Sequence, residues 1–166
     1  VYIFKYFWCL SISMPRLNRI KSIIIEICQT SQLSARHGAI LTKGSSRVIF
    51  TGKNKDRSSY NNSIVPSMHA EMDVINKMIN HLRKQFFCDK QLKRMIGKYT
   101  LWVGRITRDN HIVNSKPCCD CLKKLKKHGV KRIGFSNDEG EFVICNITRL
   151  TNTHMSKAQK DSLCFH

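Results

Sequence analysis

Residues 67–84, SMHAEMDVINKMINHLRK, and residues 117–129, PCCDCLKKLKKHG, decide how this chain is read. In the first stretch Met72, Ile75, Ile79 and Leu82 recur at three- and four-residue intervals, which predicts a helix with one buried stripe. Ser67 is its expected N-cap. In the second, Pro117 opens a helix at a position where no amide donor is needed. Cys121, Leu122 and Leu125 then point inward, Lys123, Lys124, Lys126 and Lys127 lie largely outside, and Gly129 ends the segment. Each predicted helix therefore begins with groups that bind metals or carry protons: His69 and Glu71 in one, Cys118, Cys119 and Cys121 in the other.

Outward from these two segments the chain alternates between helix and strand signals. Leu17, Ile20, Ile24 and Ile27 predict a first helix over roughly 16–32. Ala39–Thr42 and Val48–Thr51 predict a hairpin turning at Gly44-Ser45-Ser46, its second strand ended by Gly52 and Asn54. Residues 55–66 are polar and are expected to form a loop; whether the second helix continues through residues 86–96 is open. YTLWVGRIT (99–107) predicts a third strand, followed by a loop over 108–116. VKRIGFS (130–136) and EFVICNIT (141–148) predict a fourth and fifth strand, and the short NDEG turn between them requires an antiparallel pair. A short final helix is expected near 156–164.

The length of 166 residues fits one domain with its own core. The expected division is an N-terminal extension over 1–13, a domain over 14–150 and a tail over 151–166. Residues 1–13 are apolar but too short to span a bilayer, Met14 is the favoured start, and no membrane partner is expected. With 29 Lys+Arg against 11 Asp+Glu, the formal net charge of +18 attracts polyanions or phosphorylated partners, and equally fits solubility with merely solvated helix faces. Of the eight cysteines, three crowd into positions 118–121, and Cys28 and Cys145 fall in apolar runs. That distribution favours a reducing intracellular compartment, cytoplasmic or nuclear, over a disulfide scaffold.

The spacing within the two motifs has a chemical consequence. Cys118 and Cys121 are three apart, so on a helix they share a face and reach one ion, whereas Cys119 points elsewhere. Thiolates at a helix N-terminus gain from the positive end of its dipole. With His69 they make three ligands, and a tetrahedral Zn2+ then keeps one position open. Glu71, two residues past His69, is offset from that ligand face and is free to serve as a proton carrier. A redox pair or half of a zinc finger would also use C-x-x-C, but no second ligand pair has finger-like spacing, and the cysteines follow three predicted strands rather than the first. Asn54 could bond a sugar or base or simply close a turn, and Tyr60, Asn61 and Asn62 could line a mouth or a solvated loop. Trp102 reads as core, and His37 and His128 as ordinary polar residues.

His-Ala-Glu followed by Pro-Cys-Cys-Asp-Cys, each opening a helix, resembles the cytidine and deoxycytidylate deaminase superfamily over about residues 16–148. The resemblance implies an α/β fold: a three-layer α-β-α cytidine deaminase-like arrangement with a mixed five-stranded sheet and an antiparallel hairpin for strands four and five. It implies zinc as cofactor, His69, Cys118 and Cys121 as metal ligands, Glu71 as the catalytic proton shuttle, and Asn54 and Ala70 as substrate-binding residues. It also implies a homo-oligomer as a common form. The direct hairpin resembles the cytidine deaminase branch, while the HAE form is commoner in the transfer-RNA, deoxycytidylate and nucleic-acid editing branches. The leading expectation is deamination of a cytosine-type base in a nucleoside or nucleotide. The alternatives are a polynucleotide deaminase, acting on transfer RNA or single-stranded DNA, and a catalytically silent zinc module.

Overall fold

The buried run Ala39–Thr42 and the strand Tyr99–Ile106 form the middle of a sheet whose two faces are both covered, so neither strand shows a simple polar–apolar alternation. The computed structural model describes residues 13–44, 46–60, 63–85 and 87–153, with 57–60 and 63–66 described by backbone alone. In chain order the elements are α1 (Met14–Gln29), β1 (Arg36–Lys43), β2 (Arg47–Lys53), β3 (Lys55–Tyr60), β4 (Ser63–Met68), α2 (Ala70–Arg83), α3 (Asp89–Ile96), β5 (Tyr99–Ile106), β6 (Ile112–Val113), α4 (Cys119–Lys127), β7 (Arg132–Ser136) and β8 (Phe142–Asn146). A 3-10 turn, Ile147–Arg149, follows.

The main sheet runs β2-β1-β5-β7-β8, with β6 beside the end of β5 that β7 does not reach. Only β5 and β7 are parallel, joined through α4; the other neighbours are antiparallel. On one face Ile20, Ile24 and Cys28 of α1 pack with Ile40, Trp102, Phe142 and Ile144. On the other, α2, α3 and α4 cover Ala39, Leu41, Leu101, Val103 and Ile133. This is the expected three-layer mixed α/β architecture, with the two-residue β6 added to the five strands. Gly38 and Gly104 face each other across β1 and β5, and a Cβ on Gly104 would lie 2.3 Å from Ile24 Cγ2, so their bareness lets α1 settle on the sheet. Trp102 is fully buried, and its indole N–H donates to Thr42 Oγ1 at 3.1 Å. The β7–β8 pair turns through 137–140 as expected, with Gly140 at φ 75°.

Several boundaries differ from the sequence expectation. Residues 55–66 are largely an antiparallel ladder of β3 with β4. This pair stands apart from the main sheet, and Pro66 is tolerated where each strand has a free edge. Because β4 stays extended to Met68, α2 begins later than Ser67 suggested, with His69 as N-cap. Pro117 likewise precedes the cap of α4, which is Cys118. α1 ends at Gln29. α3 is a separate helix, started where Gln91 Oε1 accepts from the Cys88 amide at 2.9 Å. The expected final helix and residues 1–12 lie outside the described residues. No described helix is long and apolar enough to cross a membrane.

Candidate active site

The crossover from β5 through α4 to β7 carries the start of α4 to the carboxyl ends of the parallel strands, where open α/β sheets place their ligand sites. Ser115 fixes the approach. Its hydroxyl donates to Val103 O at 2.8 Å and accepts from Ser136 N at 2.9 Å, which ties the segment before Pro117 to both strands. α2 arrives at the same end because β2 lets it come very close. A Cβ on Gly52 would sit 2.7 Å from Val74 N and 2.8 Å from Ala70 O, so only glycine permits this approach. His69 and Cys118 are thus the N-caps of two helices whose amide ends meet at one place.

The side chains converge. His69 Nδ1 lies 3.2 Å from Cys121 Sγ and 3.7 Å from Cys118 Sγ, and the Cys121 amide donates to Cys118 Sγ at 3.5 Å. The three donor atoms all lie within 4.8 Å of one another and could hold a metal ion. One imidazole nitrogen and two soft sulfurs suit tetrahedral zinc with a position left for another ligand. Cys119 is not part of the cluster. Glu71 is buried beside it, and its Oε2 has no hydrogen-bond partner among the described residues. A fully buried carboxyl oxygen without a partner is costly unless something else completes the site, so the residues present fit the metal and a water-sized reactant.

The ionisation tendencies agree with this arrangement. The hydrogen bond from Cys121 pulls the Cys118 thiol down to about 4, against burial, while the same bond and then burial push Cys121 up. The hydrogen bond with Cys118 raises His69 despite burial. Burial raises Glu71 above the ordinary carboxylate range, with His69 opposing.

Asn54 stands at the end of β2 as expected, but its amide is well occupied. Its Oδ1 accepts from Ser31 Oγ at 2.7 Å and His37 N at 2.9 Å, and its Nδ2 donates to Ala35 O at 2.6 Å. Ala70, fully buried, is the first residue of α2, between His69 and Glu71. His37, read as ordinary, is drawn to this end: burial, then Arg105 and His69, lower it to about 4. Asp73 was missed altogether. It accepts from Lys55 Nζ at 2.8 Å, Lys77 Nζ at 2.9 Å and Lys53 N at 3.2 Å, which latches the first turn of α2 to the chain around Asn54. Burial works to raise Asp73, but these hydrogen bonds outweigh it and hold the carboxyl below its usual range. His128 lies at the far end of α4, away from the cluster. Asn61 and Asn62, and the side chain of Tyr60, lie outside the described residues.

The profile of the cytidine and deoxycytidylate deaminase zinc-binding region matches residues 17–137, which span both motifs and all the strands that position them through β7. The chain belongs to this zinc-binding deaminase family. No curated protein matches the sequence. Among solved structures, the deoxycytidylate deaminase of cyanophage S-TIM5 in complex with dCMP and dUMP is similar at a TM-score of 0.52 and 20% identity, over 77% of this chain and 85% of that one. The cytidine deaminase of Burkholderia pseudomallei is similar at a TM-score of 0.48 and 17% identity, over 76% and 91%. At these identities the likeness to the phage enzyme speaks for the fold, and the deaminase fold is the one found here.

Proposed function

We propose that this deaminase-family protein converts a cytosine-type base to uracil, by hydrolysis, in a nucleoside or nucleotide. The carrying observation is the His69, Cys118 and Cys121 cluster with the buried, unpartnered Glu71 oxygen beside it. In this reading His69, Cys118 and Cys121 hold zinc. When bound, the metal supplies a Lewis acid that ionises water near neutral pH.

The chain's own residues do the rest. Glu71 Oε2 takes one proton from the attacking water and delivers it to the ring nitrogen, then takes the second from the new C4 hydroxyl and passes it to the departing amine. The C4–O bond forms, the C4–N bond breaks, and ammonia leaves. Burial favours the protonated carboxyl, so Glu71 can hold each proton between its uptake and its delivery. Asn54 retains one amide N–H beyond its described bonds, and with it can donate to a sugar or base oxygen. In this reading Ala70, the first residue of α2, also contacts the substrate. The phage neighbour's two ligands, dCMP and dUMP, differ by this conversion, which supports a nucleotide as substrate.

The charge of +18 favours, as a second reading, a base presented within a polynucleotide. The intact Glu71 argues against a silent metal module. Zinc-loaded protein incubated with cytidine, deoxycytidine and their monophosphates should release ammonia from at least one, with the uracil product seen by mass spectrometry. Release from none rejects the proposal.

A further inference from the structure

The positive charge is distributed unevenly over the fold. At the end of the sheet that carries the metal cluster, acids are plentiful: Asp73, Asp109, Asp120, Asp138, Glu139 and Glu141 lie there. The opposite pole is different. The C-termini of α2, α3 and α4 and the start of β7 meet there, about 13 Å along α4 and about 21 Å along α2 from their capping ligands, at 1.5 Å per residue. A Cβ on Gly129 would sit 2.8 Å from Lys93 O, one on Gly97 would sit 3.2 Å from Lys131 Cε, and Arg132 Nη2 donates to Lys98 O at 3.2 Å. These contacts place Lys93, Lys98, Lys127, Lys131 and Arg132 on one surface, with Arg83 beside it. All but the half-buried Arg132 are exposed. His128, at its centre, is held below its usual range by burial and then by Lys127, Arg83 and Lys93.

Helix C-termini favour cations, and that explains Arg83, Lys93 and Lys127. It does not explain Lys98 and Lys131, which belong to no helix, nor the shortage of acids. Among the described residues here only Asp89 is acidic, and it stands 3.9 Å from Arg83. Unbalanced like charge destabilises the folded chain unless a polyanion occupies it. Among the described residues this surface carries no exposed large apolar side chain to enter a bilayer, since Met14 is the only one described anywhere. Among the described residues it also offers no fully exposed aromatic platform for unpaired bases, because the nearby Phe87 and Tyr99 are half-buried. We infer that this pole, remote from the metal cluster, is a docking surface for the phosphate backbone of a nucleic-acid duplex. A duplex bound there is held by charge without its bases being read, and the reactive end of the molecule stays free.

The test is fluorescence anisotropy with a labelled duplex of roughly 20 base pairs, titrated across salt, beside a single strand of equal length and anionic vesicles. Two charge-reversed proteins of equal net charge are compared: K93E/K127E/K131E at this pole and K53E/R105E/R108E at the metal end. The wild type should bind the duplex with steep salt dependence. The polar-surface triple should lose at least about tenfold in affinity, and its log–log salt slope should shrink by about 3, whereas the metal-end triple should stay near wild type. Circular dichroism checks that both fold. Independently of any variant, the duplex should protect Lys93, Lys127 and Lys131, but not Lys53, from acetylation in the wild type. The inference is overturned by equal losses in the two triples, by a loss confined to the metal-end triple, by tighter binding of the single strand, by binding of vesicles alone, or by acetylation that the duplex does not alter.

Discussion

Replacing Gly52 by alanine should damage the candidate site without touching any reactive side chain. The added Cβ would lie 2.7 Å from Val74 N, 2.8 Å from Ala70 O and 2.9 Å from Val74 Cβ. Unstrained heavy-atom contacts begin near 3.5 Å, so α2 must retreat by about 0.7 Å at the turn that presents His69 and Glu71. Two of the three obstacles are helix backbone, which no rotamer change relieves. Overpacking of this kind costs about 1–3 kcal/mol, and a displacement approaching 1 Å at reacting groups costs up to about 10²-fold in rate. Urea denaturation should therefore show a loss in that range, and kcat/KM on the substrate found by the ammonia assay should fall by about 10- to 100-fold. Gly44→Ala is the control. Gly44 has φ 64° and nothing within 4 Å of its would-be Cβ, so it should lose about 1–2 kcal/mol with turnover intact. If G52A kept wild-type turnover while G44A did not, the claim that β2 positions α2 and the candidate site through Gly52 would be refuted.

Other substitutions probe single groups. Asp73→Asn should lower stability by about 2 kcal/mol at neutral pH, because three donors lose a carboxylate, two of them half-exposed lysines whose pairing is screened. Asp73 is held below its usual range, so its contribution is complete above the ordinary carboxylate pKa and fades as pH falls through the folded value; the gap between wild type and D73N in denaturation should narrow only on that acid side. Glu71→Gln should keep its zinc and lose about 10²- to 10⁴-fold in turnover; unchanged turnover would remove Glu71 from the mechanism. Cys119→Ser should leave metal content unchanged, since Cys119 stands outside the cluster.

Much of this was legible in the chain because the relevant signals are local. The stripe Met72, Ile75, Ile79 and Leu82 is buried as its spacing requires, and the two metal-binding motifs do meet. The hairpin of β7 and β8 follows from a turn too short for any other connection. What stayed hidden depends on tertiary approach. Gly52 looks like a strand terminator until α2 lies on it. Asp73 looks like a solvated helix residue until Lys53 and Lys55 are brought alongside. His37 gains its neighbours only through the pairing of β1 with β5, opposite Arg105. The β3–β4 ladder was invisible for another reason: short strands that pair only with each other, one of them carrying Pro66, show no hydrophobic alternation.

X-ray absorption at the zinc edge, on protein whose metal content has been counted, tests the central claim most directly. The account predicts one zinc per chain with two sulfurs at about 2.3 Å and one nitrogen at about 2.0–2.1 Å, completed by a light-atom ligand, and loss of the metal from Cys118→Ser and Cys121→Ser. A shell of four sulfurs, or zinc that survives removal of both thiols, would contradict it.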